Sequence, residues 1–249
     1  MTTTSRLALA SALALGGGAA SEAQTCPCPP TPGPGWHGSA GAGIALTGGN
    51  SDTQSYNANL GLVYDPQKTY RLKIDGLYLK SRVNGADTSA KSAAGARAER
   101  KLGRAFLFAE TRYERDAFKS QTYLFSPTAG LGYTLADGPR VKLGVDAGAG
   151  FAIEKLSGRD GTTSGALRAG ESLSVQLSDT ARLTHSSRAL WKTDDFADAF
   201  YHVEAGIAAS VSQRLELKLD TIVDVKNKPA APGLEKTDRA VLASLVFKL

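Results

Sequence analysis

Residues Arg140–Glu154 read RVKLGVDAGAGFAIE. Val141, Leu143, Val145, Ala147, Ala149, Phe151 and Ile153 share one parity, and Arg140, Lys142, Gly144, Asp146, Gly148, Gly150, Ala152 and Glu154 share the other. A helix would scatter both sets around its circumference, whereas a strand sends alternate side chains to opposite faces. The stretch therefore reads as a strand with one apolar face and one polar face.

The same alternation recurs on both sides of it. Trp36, Gly38, Ala40, Ala42, Ile44 and Leu46 oppose His37, Ser39, Gly41 and Thr47; Tyr56, Ala58, Leu60, Leu62 and Tyr64 oppose Ser55, Asn57, Asn59 and Asp65. Near the end, Leu215, Leu217, Leu219, Val223 and Val225 oppose Arg214, Glu216, Lys218, Asp220 and Asp224, and Val241, Ala243, Leu245, Phe247 and Leu249 oppose Ser244 and Lys248. The phase resets at Gly, Asp, Asn and Pro clusters, as at turns. The pattern predicts twelve strands: 36–48, 53–64, 69–82, 89–101, 104–117, 120–135, 139–155, 163–177, 180–192, 198–211, 214–226 and 236–249. Each exceeds the roughly 9–11 residues that a tilted strand needs to cross a bilayer. Connections at 65–68, 102–103, 136–138, 178–179 and 212–213 are short, and those at 48–52, 83–87, 117–120, 156–162, 193–197 and 227–236 are expected to be longer loops. Short turns on one rim and loops on the other suit an up-and-down transmembrane β-barrel.

Composition agrees. The 249 residues carry 29 Lys+Arg against 24 Asp+Glu, a net charge of +5, too mild to argue for nucleic acid. No run of about 18 apolar residues exists to form a membrane helix. Residues 1–23 have one early cation, an apolar small-residue stretch and Ser21-Glu22-Ala23, the pattern of a cleaved secretory signal. Residues 24–35, with Cys26, Cys28 and five prolines, read as a Pro-rich periplasmic tail. The barrel spans 36–249. Arg71, Lys73, Asp75, Arg97, Glu99, Glu110, Arg112, Glu114, Lys142, Asp146, Arg168, Arg182, Arg188, Glu204, Lys218 and Asp220 fall on the polar parity and are expected to line the lumen. A soluble lipocalin-like carrier is the alternative. It would turn the apolar face inward, into a twelve-stranded cavity too wide for side chains to fill.

The opening strand running into Leu46-Thr47-Gly48-Gly49-Asn50-Ser51-Asp52-Thr53, then Tyr70–Asp75 with Asn84-Gly85, and the closing Lys228-Pro229 to Lys236-Thr237-Asp238, resemble the salt-induced outer membrane proteins, a family defined by a domain of unknown function. The resemblance covers essentially all of 36–249. It implies a β-barrel in the outer membrane and carries no catalytic residues. The rim of short turns, which bears both termini, is expected to face the periplasm, with outer-membrane lipids and the barrel-assembly machinery as the expected partners and a further copy of the chain through the Glu171/His185 wall. The chain departs from outer-membrane barrels in ending on Leu249 rather than an aromatic residue.

Phosphate loops, zinc spacings, nucleophile elbows and dinucleotide fingerprints are missing from the sequence, so no metal or cofactor is expected. His37 and His202 read as solvated lumen residues, and the tyrosines as outward girdles near strand ends. Pro127 is expected to mark a bulge. Glu171, His185 and Ser187 break the pattern by standing on the apolar parity of one hairpin, with Glu171 opposite either Ser187 or His185. A carboxylate, an imidazole and a hydroxyl in mutual reach could form a lipid-active hydrolase site. His185-Ser186-Ser187 is similar to the outer membrane phospholipase in its His-x-Ser step, but the Asn-Gly that follows there is Arg188 here. Two other readings are a protomer contact through this wall and a bulge that turns Glu171 inward. The leading expectation for function is a small channel or structural envelope protein, not an enzyme.

Overall fold

The computed structural model describes residues 33–47, 53–117, 120–229 and 235–249. The expected secretory signal of residues 1–23, Cys26, Cys28 and most of the expected Pro-rich tail lie outside them. Among the described residues are twelve strands: β1 (Gly35–Thr47), β2 (Thr53–Asp65), β3 (Tyr70–Val83), β4 (Ala86–Leu102), β5 (Ala105–Asp116), β6 (Gln121–Asp137), β7 (Val141–Leu156), β8 (Thr162–Gln176), β9 (Ala181–Lys192), β10 (Ala199–Ser210), β11 (Leu215–Lys226) and β12 (Thr237–Lys248). Every strand pairs antiparallel with its sequence neighbours, and β1 pairs with β12 to close the barrel. That seam has four registered pairs, Ser39–Ala42 against Lys248–Leu245, and Leu249 N–H adds a bond to Gly38 C=O at 2.8 Å.

The faces sort as the period-two pattern requires. Trp36, Ile44, Leu131, Phe151, Leu217 and Val241 are among the most exposed large side chains and all point outward. Glu99, Glu114, Glu154, Asp220, Asp224 and Lys226 are buried, and all point inward. This is the reverse of a soluble carrier, whose apolar side chains would fill the interior. A closed sheet with an apolar exterior and a charged interior is a transmembrane barrel: closure satisfies every backbone group of the wall without water. Tyr56, Tyr70, Tyr78, Tyr113 and Tyr133 are exposed on the outer face near strand ends, the expected girdles.

Three local expectations are corrected. Residues 83–87 form no long loop: β3 runs to Val83, β4 starts at Ala86, and Asn84 and Gly85 make the whole turn with φ of 50° and 78°. Positive φ at both central residues is the two-residue hairpin turn that Asn-Gly favours, because its twist matches the strands. The contrast between rims therefore rests mainly on 193–198 and 227–236. Pro127 causes no bulge. Its pairing to Thr111 is kept, and the β6–β7 register is the same on either side of it, Phe125 with Ile153 and Thr128 with Gly150. A missing N–H drops a ladder bond without adding a residue; the β6 shifts fall instead at Gln121/Tyr123 and Thr134/Ala136. Glu171 is not turned inward, since the register through β7, β8 and β9 is unbroken there.

The interior is not wholly polar. Phe106 and Phe108 share the inward parity of β5 with Glu110, and their rings lie along the wall over Gly132 and Gly148, where a Cβ would collide with them. Leu124, Ala152, Ala166, Leu190 and Phe200 form a buried apolar cluster inside the loop-side half of the barrel. Gly132→Val should lower folded stability by about 1–3 kcal/mol through overpacking, read from the urea midpoint of refolding. Combined with Phe106→Ala, it should lose less than the sum of the two single changes.

Candidate functional site

All sixteen charged residues expected in the lumen lie on the inward face, and most are tied into ion pairs. At the rim that carries the termini, Arg71 Nε donates to Asp65 at 2.8 Å and Lys101 Nζ reaches the same carboxylate at 3.0 Å. Glu99 takes Lys73 at 2.8 Å and Arg97 Nε at 2.7 Å. Arg97 then spans the interior, its Nη1 donating to Glu110 at 2.8 Å and its Nη2 to Asp146 at 3.0 Å. Arg168 completes this ring by pairing with Asp146 and, at 3.2 Å, with Glu110. Both guanidinium groups stack on Phe108, at 4.1 Å and 5.0 Å from the ring centre. The aromatic lumen residues thus carry cations that would otherwise face an apolar wall.

Further up, Arg112 joins Asp75 at 2.8 Å and Glu114 at 2.7 Å, and Arg188 joins Glu114 at 2.5 Å. Glu114 stands on β5 and Arg188 on β9, four strands apart around the ring, so this pair crosses the lumen. Two more crossings lie nearer the loop rim. Glu154 on β7 receives Lys192 at 2.7 Å and Lys226 of β11, and Lys91 of β4 reaches Asp224 of β11, which is also 2.7 Å from His202 Nδ1. Arg182 of β9 reaches past β10 to Glu216 of β11 at 3.1 Å, Lys218 of β11 pairs with Glu204 of the neighbouring β10 at 3.3 Å, and Lys218–Asp220 at 2.8 Å lies within β11. On the loop rim itself, the Lys228 ammonium beside Asp195 holds that carboxyl below its usual range.

Beneath the crossings, toward the terminal rim, lies a cavity of about 610 Å³. Lys142, Ser172, Ser174, Ser186 and Glu204 line one side, and Arg71, Lys73 and Asp75 the other. The lumen is thus an open vestibule at the end bearing the termini and a filled interior toward the loops. His202 is a correction: it is buried and paired rather than solvated. Glu154 and Asp224 stand on the polar parity read from the sequence; Lys91, Lys192 and Lys226 were not among the expected lumen residues, although each has the inward parity of its strand and could have been found by extending the alternation to the strand ends.

The outer-wall cluster does assemble. Glu171 registers with Ser187, resolving the two pairings; Ser187 O–H donates to Glu171 Oε2 at 3.2 Å, and His185 Nδ1 lies 3.1 Å from the same oxygen. The carboxylate therefore sits between the hydroxyl and the imidazole. A nucleophile needs the imidazole beside its hydroxyl to take the proton, with the carboxylate behind, so this wiring is not that of a hydrolase. Among the described residues there is no group of three or more His, Cys, Asp or Glu placed to hold a metal ion.

Removing one partner of a buried, paired charge strands the others. Glu154→Gln, which leaves Lys192 and Lys226 short of a carboxylate, should cost about 3 kcal/mol in the urea midpoint of refolding, and Glu204→Gln, at a wetter and half-exposed pair, under about 1 kcal/mol.

Comparison with solved structures finds similar barrels. An outer membrane channel from Pseudomonas putida F1 shares 12% identity with a TM-score of 0.49, the match covering 91% of this chain and 99% of that one. NanC porin shares 9% identity with a TM-score of 0.48, over 85% and 96%. The translocator domain of autotransporter NalP from Neisseria meningitidis shares 13% identity with a TM-score of 0.47, over 88% and 90%. No curated protein matches the chain. Residues 40–249 match the family described as protein of unknown function DUF481, and the chain belongs to that family.

Proposed function

We propose that this protein is an outer-membrane barrel closed at rest: a small channel whose polar path opens only when the ion pairs crossing its lumen separate. The observation that carries the reading is the 2.5 Å Glu114–Arg188 contact, which bridges walls four strands apart, with the buried apolar cluster on its loop side and the 610 Å³ vestibule on its other side. Paired fixed charges leave a passing ion no free partner, so conduction requires the pairs to break. Placement in the outer membrane, with the termini and the vestibule facing the periplasm, is supported by the secretory pattern of residues 1–23 and by the even number of strands. The likeness to salt-induced outer membrane proteins fits the same reading. On this account the surrounding partners are outer-membrane lipids, and the barrel-assembly machinery inserts the chain.

In planar bilayers the wild-type protein should give no more than rare, brief openings, and Glu114→Ala/Arg188→Ala, which removes both partners together, should give sustained steps. Sustained steps from wild type would refute the closed resting state. Silence from a double variant that keeps the heat-modifiable gel mobility of a folded barrel would favour a structural envelope role. Detergent-dispersed phospholipid should be left intact by wild type and by Ser187→Ala alike; hydrolysis that disappears in Ser187→Ala would make the outer-wall cluster catalytic.

A further inference from the structure

Glu171, His185 and Ser187 stand where the neighbouring side chains meet hydrocarbon. On the same outward row, Leu167 lies four residues away toward the loop rim and Leu177 six residues away toward the terminal rim, and both are exposed. At about 3.3 Å per residue on a strand tilted by about 40°, Glu171 sits roughly 10 Å from one level and roughly 15 Å from the other. It is therefore near the middle of the apolar band, too deep for a lipid headgroup to reach. The internal contacts satisfy the cluster only in part: 29% of the Glu171 side chain and 34% of His185 remain exposed. A charge left against hydrocarbon at this depth is costly. Acyl chains offer it nothing, so the wall is built to be covered by protein.

A groove of about 250 Å³ opens beside the cluster, between Ala169, Ala189, Tyr201 and Val203. Small side chains around a polar centre let a second wall approach closely. We propose that this wall is the contact between two copies of the chain, packed about a two-fold axis that sets Glu171 of each copy against His185 and Ser187 of the other. An isologous contact requires one patch to be complementary to itself, and this patch carries its own acceptor, Glu171, and its own donors, Ser187 and His185, within one hairpin. The proposal is independent of whether the lumen conducts.

Sedimentation equilibrium of the full-length protein in density-matched detergent tests it. Wild type should associate to twice the protomer mass. Glu171→Leu/His185→Leu should associate about tenfold more weakly or not at all, while retaining heat-modifiable gel mobility. Leu245→Ala, on the distant β12 wall, should leave the dimer unchanged. Wild type that remains monomeric over a wide range of protein-to-detergent ratios would overturn the proposal. So would a double variant that dimerises as well as wild type, or a dimer lost on Leu245→Ala instead.

Discussion

An unpaired charge facing hydrocarbon has neither water nor counter-ion, and a closed sheet offers it one alternative, the barrel interior. That constraint organises this molecule. Every second residue of each strand is given to the membrane and is mostly apolar, with Glu171, His185 and Ser187 as exceptions; the charged residues among the rest share the interior and neutralise one another there. The result is a set of ion pairs that reach across the lumen, such as Glu114 with Arg188 and Glu154 with Lys226, in addition to ladders between neighbouring strands. Sheet closure and charge pairing support each other: closure curls β5 toward β9 and β7 toward β11, each pair four strands apart around the ring, and the ion pairs then brace those walls.

The interior is also shaped by what is small. Inward glycines on β6 and β7 let Phe106 and Phe108 lie flat against the wall, and Phe108 in turn supports the Arg97 and Arg168 guanidinium groups that hold Asp146 and Glu110. This stack forms the roof of the vestibule. Toward the loops, an apolar cluster takes over the filling, so the two ends of the lumen differ in chemistry.

The fold was legible because a period of two is unambiguous over strands of this length: all twelve strand positions were readable, with ends displaced by three residues at most. The inward placement of the charged residues followed from the same parity. What parity cannot supply is depth or partners. It marks His202 as inward but not as buried against Asp224, and it sets Phe106 and Phe108 on the inward row of β5 without showing that their rings lie over Gly132 and Gly148. Which charges meet across the ring depends on stagger and barrel width, which no single strand encodes. The Asn84-Gly85 turn was readable from its dipeptide, but the polar residues around it suggested a longer loop. Glu171, His185 and Ser187 were visible as breaks in the pattern, yet the order of their contacts, with the carboxylate in the centre, came only with the register of β8 against β9.

The central claim is that the outer face meets lipid while the inner face is packed shut. Spin labels placed singly at positions 141 to 154 of β7 in the lipid-reconstituted protein test both halves at once, through their collisions with oxygen, which concentrates in lipid, and with a water-soluble nickel chelate. The account predicts a strict period of two, with odd positions open to oxygen and even positions near Ala152 and Glu154 shielded from both reagents. Nickel access along all even positions would reveal a water-filled pore, and oxygen access at even positions would contradict the assignment of the faces.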